Sequence, residues 1–183
     1  MTIKTILAAT VATIALSTAV SAANPTVGGA AMLEQRNIIE NAVNSPVHTT
    51  LVAAVKAADL VETLQGAGPF TVFAPVNDAF AALPAGTVET LLMPENKAML
   101  QKVLTAHVVA GDWSSADIIA AARASSDGFY HFNAVSGDAL SAQVKGKNVY
   151  LIDESGNAAR ITVADVDQSN GVIHVIDAVL VPK

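Results

Sequence analysis

The last apolar run of the chain has the pattern of a strand that is covered on both faces. Asn170 and Gly171 form a turn signal, and β-branched residues dominate positions 172–181 behind it. Because apolar residues occupy both alternating sets of positions, both faces of this strand are expected to be buried. His174 and Asp177 are the polar exceptions, and a buried polar side chain needs a hydrogen-bonding partner. The pattern therefore predicts a central strand, running to residue 182, at the C-terminal end of the domain.

Shorter apolar stripes come before this strand, separated by Gly, Pro, Ser and Asn. Ser114 and Asp117 have the spacing of a capping box, and Asn77 has the chemistry of an N-cap for its own short helix. The spacing predicts helices over residues 37–44, 49–58, 59–64, 77–81, 84–92, 94–109 and 114–123. One face of the sixth helix is expected to hold Ala98, Met99, Val103 and Leu104. Strands are predicted over residues 70–74, 129–135, 139–144, 148–152 and 159–163.

The order of these elements predicts the fold class. Helices, one strand, further helices and then a series of hairpins indicate an α+β domain with a largely antiparallel sheet. We divide the chain into a signal peptide at residues 1–22, a loose leader with a short helix at residues 23–46, and one domain at residues 47–183.

The N-terminal 22 residues have the features of an export signal. Lys4 supplies a positive start, residues 6–20 form an apolar core rich in Ala and Thr, and Val20-Ser21-Ala22 offers small residues for cleavage. A membrane anchor is the weaker alternative, since the apolar stretch is shorter than the roughly 20 residues that span a bilayer. The chain contains no cysteine, which excludes a lipidated cysteine and a disulfide framework. We expect a secreted or periplasmic protein without an integral membrane segment once the signal is removed.

Charge and composition exclude one class of partner. Removing Lys4 leaves nine basic and sixteen acidic residues, a net charge of −7, and aromatic residues make up 4% of the chain. An acidic surface repels phosphate backbones, and few rings are present on which bases could stack. Nucleic acid is therefore not an expected partner.

No catalytic, cofactor or metal motif is evident. Nucleotide-binding glycine patterns, a serine nucleophile elbow and a thiol nucleophile are all missing. The four histidines are far apart, and none is followed by a ligand partner two or four residues further along the chain. Asp165-Val166-Asp167 resembles the start of a calcium loop, but Ile176 stands where the bidentate carboxylate belongs. We therefore predict a protein without enzymatic activity or cofactor, in which His107 and His174 are hydrogen-bonded core residues.

Three ordered segments resemble those of fasciclin (FAS1) domains. GPFTVFAPVNDAF at residues 68–80 resembles the first signature segment, NGVIHVID at residues 170–177 resembles the second, and VLTAHVV at residues 103–109 resembles the histidine segment between them. The signature positions, taken as structural, are Thr71, Phe73, Pro75, Asn77, Phe80, His107, Gly171, His174 and Asp177. One departure is Ala106, where the family usually has an aromatic residue, so a smaller contact is expected beside His107.

The resemblance implies a wedge of two largely antiparallel β-sheets flanked by several short α-helices, and a role in extracellular adhesion without enzymatic chemistry. Some animal members present an Asp followed by an aliphatic residue ahead of the second segment, and Asp165 and Val166 occupy that position here. This pair, an acidic side chain beside an aliphatic one that is expected to be exposed, is a candidate partner-binding site, with an ordinary strand-edge turn as the alternative.

Two functions follow from these observations. The first is adhesion to an unknown protein or surface receptor through a surface patch, with self-association as a way to raise avidity. The second is a carrier or sensor of a small ligand, which would need a pocket between the sheets and the helices.

Overall fold

The computed structural model describes residues 24–182, and the predicted signal peptide lies outside them. The helices are α1 (Ile38–Asn44), α2 (Thr49–Ala57), α3 (Val61–Gln65), α4 (Asn77–Ala81), α5 (Thr87–Leu91), α6 (Lys97–Thr105) and α7 (Ser115–Ala124). The strands are β1 (Phe70–Pro75), β2 (Val108–Ala110), β3 (Phe129–Asn133), β4 (Ala139–Lys145), β5 (Asn148–Ile152), β6 (Ala158–Gln168) and β7 (Gly171–Ile176). Across the described residues, every helix is too short or too polar to span a bilayer.

The seven strands form one sheet in the order β2-β1-β7-β6-β5-β4-β3. β1 and β7 pair in parallel in register from Phe70 with Gly171 to Pro75 with Ile176, and the other pairings are antiparallel. Five of the six residues in each of these two strands are buried. The predictions of an α+β fold, a largely antiparallel sheet and a doubly covered C-terminal strand are confirmed.

The expected division into two sheets is wrong. β6 is eleven residues long, and its residues 158–160 pair with β5 whereas residues 161–168 pair with β7. This one strand continues from the hairpins at the end of the sheet to its centre, with irregular register between Ile161 and Val166. Bulges of this kind bend a strand and increase its twist, so the sheet changes direction without breaking into two.

The two faces of the central strands contribute to different cores. Val72 and Ile173 pack in a cluster with helices α1 to α6, which we call the helix-side core. Phe73 and Ile176 face the opposite way and pack with Ile118 of α7 and the hairpin strands, which we call the hairpin-side core. Fully burying a large apolar side chain contributes about 1.5–3 kcal/mol, so the β1–β7 pair is stabilised from both sides.

The ends of the sheet approach each other through β2. The sequence pattern predicts that the sixth helix continues to residue 109, but α6 ends at Thr105 and Val108 begins a strand beside β1. The outer edge of β2 is used as well, because the Val135 N–H, just beyond β3, donates to the Val108 carbonyl at 2.7 Å. The prediction fails here because a three-residue strand is too short to leave a period in the sequence.

Two terminal segments also differ from prediction. The leader is docked rather than loose, because Asn24 exchanges hydrogen bonds with the backbone of Asp167, and Val27 and Met32 are buried in the helix-side core. The last strand ends at Ile176 rather than at residue 182. The residues after Ile176 leave the sheet, and Val179, Val181 and Pro182 help to form the groove described below.

Candidate functional site

Asp165 lies in a bulge of β6 and its carboxylate is bound to the start of α7. Its φ is +56°, a left-handed conformation that Asp tolerates better than most residues. The Asp165 Oδ1 atom accepts from the Ser115 N–H at 2.6 Å, and Oδ2 accepts from the Ser115 hydroxyl. Because Ser115 opens α7, the carboxylate satisfies a backbone donor that the helix itself leaves unpaired.

His174 connects the same bulge to the loop before α7. The Asp165 N–H donates to His174 Nδ1 at 3.2 Å, and Nε2 lies 2.8 Å from the Trp113 carbonyl, so the proton is on Nε2. The ring also stacks on Phe73 with centroids 5.6 Å apart. Burial lowers the pKa of His174 below its ordinary value, because desolvation disfavours the charged imidazolium. The imidazole is therefore a neutral cross-link between three segments of backbone.

The predicted partner-binding pair occupies this bulge. Val166 is fully buried and pairs with Ile173 in the helix-side core. The expectation of an exposed aliphatic side chain beside the acid is therefore wrong, because the bulge directs Val166 inward. The binding role assigned to Asp165 and Val166 stays a prediction, and the main role that the contacts provide for Asp165 is the tie to Ser115.

His107 makes a second neutral cross-link, with the opposite tautomer. Its Nδ1 lies 2.8 Å from the Val103 carbonyl, and its Nε2 accepts the Leu180 N–H at 2.9 Å. Burial lowers the pKa of His107 to about 4. Next along the chain, the Val181 N–H donates to Asp153 Oδ2 at 3.0 Å. The C-terminal segment is therefore held against the domain by backbone hydrogen bonds to two side chains.

A groove open to solvent runs between α5, α6 and this C-terminal segment, with a volume of about 500 Å³. We call it the α5–α6 groove. Met99 on its rim is 61% exposed and Val181 is 38% exposed. Eight of its ten lining residues are apolar, and the full set is Leu83, Thr87, Leu91, Ala98, Met99, Lys102, Val103, Val179, Val181 and Pro182. An exposed apolar concavity of this size is typical of a binding surface.

The interior offers much less space than this groove. Among the described residues, the space beside Leu51 and Val72 measures about 30 Å³ and that beside His48 and Val175 about 10 Å³. A shallower depression of about 270 Å³ with mixed polar and apolar lining lies beside Pro84 at the surface. Neither of these two interior spaces is large enough for the carrier pocket between the sheet and the helices that the second hypothesis requires.

The groove residues were not among those predicted to form a site. Of the four residues predicted on one face of this helix, Val103 and Leu104 are buried as expected, whereas Ala98 and Met99 are exposed and Leu100 is buried instead. With the correct phase, Met99 is an apolar residue outside the buried stripe. That surplus of apolar character is the sequence signal that could have identified the groove.

Metal binding has no support from the described side chains. Within residues 24–182 no cluster of three or more His, Asp or Glu could hold a metal ion. His131 is the exposed histidine, and its nitrogens contact Ser141 Oγ and Asp127 Oδ2 at 2.8 Å each. His48 is buried beside the Ser45 hydroxyl at 2.8 Å, and burial lowers its pKa.

Comparison with known proteins identifies the family. A family model described as "Fasciclin domain" matches residues 46–182. The chain belongs to the fasciclin domain family. "Protein sll1483" of Synechocystis sp. is 54% identical over 145 residues, covering 79% of this chain and 73% of that protein. "Immunogenic protein MPB70" of Mycobacterium bovis is 34% identical over 169 residues, covering 88% and 78%.

Two further similarities concern the cell surface and the fold. "Cell surface glycolipoprotein MPB83" of Mycobacterium bovis is 32% identical over 172 residues, covering 88% of this chain and 68% of that protein. A solved FAS1 domain pair from the insect cell adhesion molecule fasciclin I aligns with a TM-score of 0.70 at 17% identity. That alignment covers 79% of this chain and half of the domain pair, and it supports the fold alone.

In this fasciclin domain the signature residues near β1 link distant segments of chain. Thr71 is buried, and its hydroxyl donates to the Gly111 carbonyl at 2.8 Å and accepts the Trp113 N–H at 2.9 Å. The prediction that Asn77 caps its own helix is wrong. Val76 precedes α4, and Asn77 instead accepts the Thr50 N–H at 3.0 Å, which caps α2.

The remaining signature residues of the fasciclin domain are packed or paired. Pro75 is buried at the end of β1, and Phe80 is buried in the helix-side core. Gly171 is tightly packed, because a Cβ there would lie 1.9 Å from the Phe70 carbonyl oxygen. Asp177 accepts from the Arg160 N–H at 2.8 Å and from its Nε at 3.2 Å. Ala106, which stands where the family usually has an aromatic residue, is buried, with 1% of its surface exposed.

Proposed function

We propose that this chain is an exported, non-enzymatic binding module that attaches cells to another cell, a surface or a matrix through the α5–α6 groove. The observation that carries the proposal is the exposed apolar lining of this groove. Exposed apolar area of this kind is removed from water when a partner covers it, and this is the main favourable term in association.

The family relationship supports a role outside the cell. One relative is named as a cell surface glycolipoprotein and the aligned domain pair comes from an insect cell adhesion molecule. Both names describe those proteins, and we extend the role to this chain as part of the proposal. The signal-like N-terminus supports a secreted or periplasmic location.

The contacts of the histidines support a role without catalysis. His107 and His174 direct both ring nitrogens at backbone atoms, and the groove lining contains neither a histidine nor a carboxylate. A general acid or base must reach the proton that it transfers. Attachment through apolar contacts requires no such group, so the groove fits a binding role better than a reaction centre.

A bead-adhesion experiment tests the proposal. Beads coated with the purified mature chain are placed on a lawn of the cells that produce it, and the retained beads are counted after washing. Met99→Asp places a carboxylate in the apolar groove, and a partner that covers it must remove that charge from water, which is costly. We expect retention to fall more than about tenfold, while thermal unfolding stays close to that of the parent because Met99 is exposed.

Val135→Asp is the matched control. Val135 is 50% exposed and does not line the groove, so the same change of character is made elsewhere on the surface. Its beads should be retained like those of the parent. Equal retention of Met99→Asp and parent beads, with both proteins folded, would contradict the proposal.

A small-ligand carrier remains the second candidate function, with its ligand site in the α5–α6 groove at the surface instead of in the interior. The observation that favours it is the volume of about 500 Å³, which falls within the range of pockets that bind small molecules. The identity of an occupant distinguishes the two roles.

A further inference from the structure

The chemistry of the α5–α6 groove restricts what can occupy it. Thr87 and Lys102 are the two polar residues of the lining, and the other eight residues are apolar. A peptide buried in an extended form carries a backbone donor and acceptor at almost every residue, and each needs a partner. The side chains of this lining cannot supply them.

The C-terminal wall of the groove is equally unsuited to pairing with a peptide strand. The Leu180 N–H is bound by His107 and the Val181 N–H by Asp153. Pro182, the next residue, has no N–H to donate. Successive donors along this wall are therefore used or absent, which disfavours the addition of a partner strand.

A hydrocarbon chain has no polar groups that need partners, and it fits the apolar lining. Met99 on the rim is unbranched and exposed, and methionine adapts its shape to varied apolar ligands. The volume of about 500 Å³ is that of a site for one small molecule. Lys102 is the one charged residue of the lining, its Nζ lying 3.5 Å from Asp138 Oδ1. Asp138 compensates part of this charge, so Lys102 favours an anionic head group only weakly and the apolar lining supplies most of the affinity.

We propose that the α5–α6 groove binds one hydrocarbon chain with an anionic head, taken as a single amphiphile molecule rather than as part of a bilayer. The proposal rests on the second candidate in the proposed function, the small-ligand carrier, because a single free molecule in the groove does not attach one surface to another. The mature chain has a net charge of −7, and this charge opposes association with anionic bilayers.

Titration calorimetry of the mature chain with octanoate, decanoate and dodecanoate, each below its micelle concentration, tests the proposal. We expect saturable binding of one molecule per chain, tightening about fourfold for each added CH₂ group. Met99→Asp should weaken dodecanoate binding more than about tenfold, and Val135→Asp should leave it unchanged. Lys102→Met should weaken dodecanoate about threefold and leave dodecanol unaffected, since an exposed ion pair contributes little.

The outcomes separate this inference from the proposed function. If no saturable binding occurs, or if Met99→Asp binds dodecanoate like the parent, the hydrocarbon occupant is overturned. Loss of bead retention in Met99→Asp would then leave the proposed function intact. Dodecanoate binding that is lost in Met99→Asp while bead retention persists would support the ligand site and overturn attachment through the groove. Co-sedimentation with phosphatidylglycerol vesicles but no binding of dodecanoate would indicate a bilayer partner and overturn the single-molecule proposal.

Discussion

Two regions of this fasciclin domain differ in how they use their side chains. At the bulge of β6, the Asp165 carboxylate and both ring nitrogens of His174 are hydrogen-bonded within the domain, and Val166 is buried. At the α5–α6 groove, Met99 and Val181 expose apolar surface to water. The first region has the residues that look functional in the sequence, and the second has the surface that a partner can reach.

The comparison separates residues that maintain the architecture from residues that remain available for binding. Polar residues near the central strands connect segments of chain that are distant in sequence, and their contacts are internal. Apolar residues of α5, α6 and the C-terminal segment line the groove. The part of their surface that faces the groove is not covered by other residues in the part of the domain that the structure describes. Changes in the first region should therefore affect folding, and changes in the second should affect attachment.

The largest expected effect comes from Gly171→Ala, in the strand that carries His174. The added Cβ would lie 1.9 Å from the Phe70 carbonyl oxygen, at a residue whose φ is +149°. Because β1 and β7 must separate to admit it, we expect a loss of about 5 kcal/mol in the free energy of unfolding, measured by urea denaturation. Gly146→Ala is the control, since the turn there has open space and should cost about 1 kcal/mol. Similar losses for the two variants would contradict the packing assigned to Gly171.

His174→Ala removes the side chain that connects the bulge of β6 to the loop before α7. It leaves the Asp165 N–H and the Trp113 carbonyl without their partner, and each buried unsatisfied group costs about 1–3 kcal/mol. We expect a destabilisation of about 3 kcal/mol in urea unfolding. Bead retention per folded molecule should be unchanged, so a loss of retention at full stability would place a binding role at this region.

Low pH should lower the free energy of unfolding, because a neutral histidine cross-links the folded chain at each of the two regions. The pKa of His107 is lowered by burial from 6.5 to about 4, so the unfolded chain binds the proton more readily than the folded chain. The stability from this group is fully present above pH 6.5, and about 3 kcal/mol is lost as the pH falls to about 4. The pKa values of His48 and His174 are lowered too, and their effect has the same sign.

Urea denaturation at several pH values between neutrality and about pH 4 measures this loss. His107→Gln has no group that titrates in this range, so its stability should fall less steeply with pH than that of the parent. Identical pH profiles for the parent and His107→Gln would contradict the assigned role of His107.

Asp165→Asn should have the smallest effect on stability. It distinguishes a structural role for Asp165 from a partner-binding role. Asn tolerates the left-handed conformation and keeps one acceptor for Ser115. We expect a loss of about 1 kcal/mol, since the change weakens a contact at a helix N-terminus, and no change in bead retention. If the partner-binding role predicted for Asp165 is correct, retention will fall instead while stability is nearly preserved.

Local patterns in the sequence predict local structure well. The capping box of Ser114 and Asp117 forms as predicted, because its two partners are three residues apart. The doubly covered β7 is also recognisable, since burial on both faces removes polar residues from both sets of positions. Signals of this kind need no knowledge of the distant chain.

Contacts between distant segments account for most of the errors. Asn24 binds Asp167, 143 residues away, and Asn77 caps a helix that precedes it by 27 residues. The groove depends on the C-terminal segment, whose position is set by His107 and Asp153. Nothing in the local sequence of α6 shows which of its apolar residues that segment leaves uncovered.

The most direct test of the groove as the binding surface uses the absence of cysteine from the chain. Met99→Cys and Val135→Cys each introduce one thiol, and beads coated with either variant are counted before and after reaction with a bulky maleimide. We predict that labelling abolishes retention of the Met99→Cys beads and leaves the Val135→Cys beads unaffected. Full retention of labelled Met99→Cys beads would contradict the central claim that a partner binds at the α5–α6 groove.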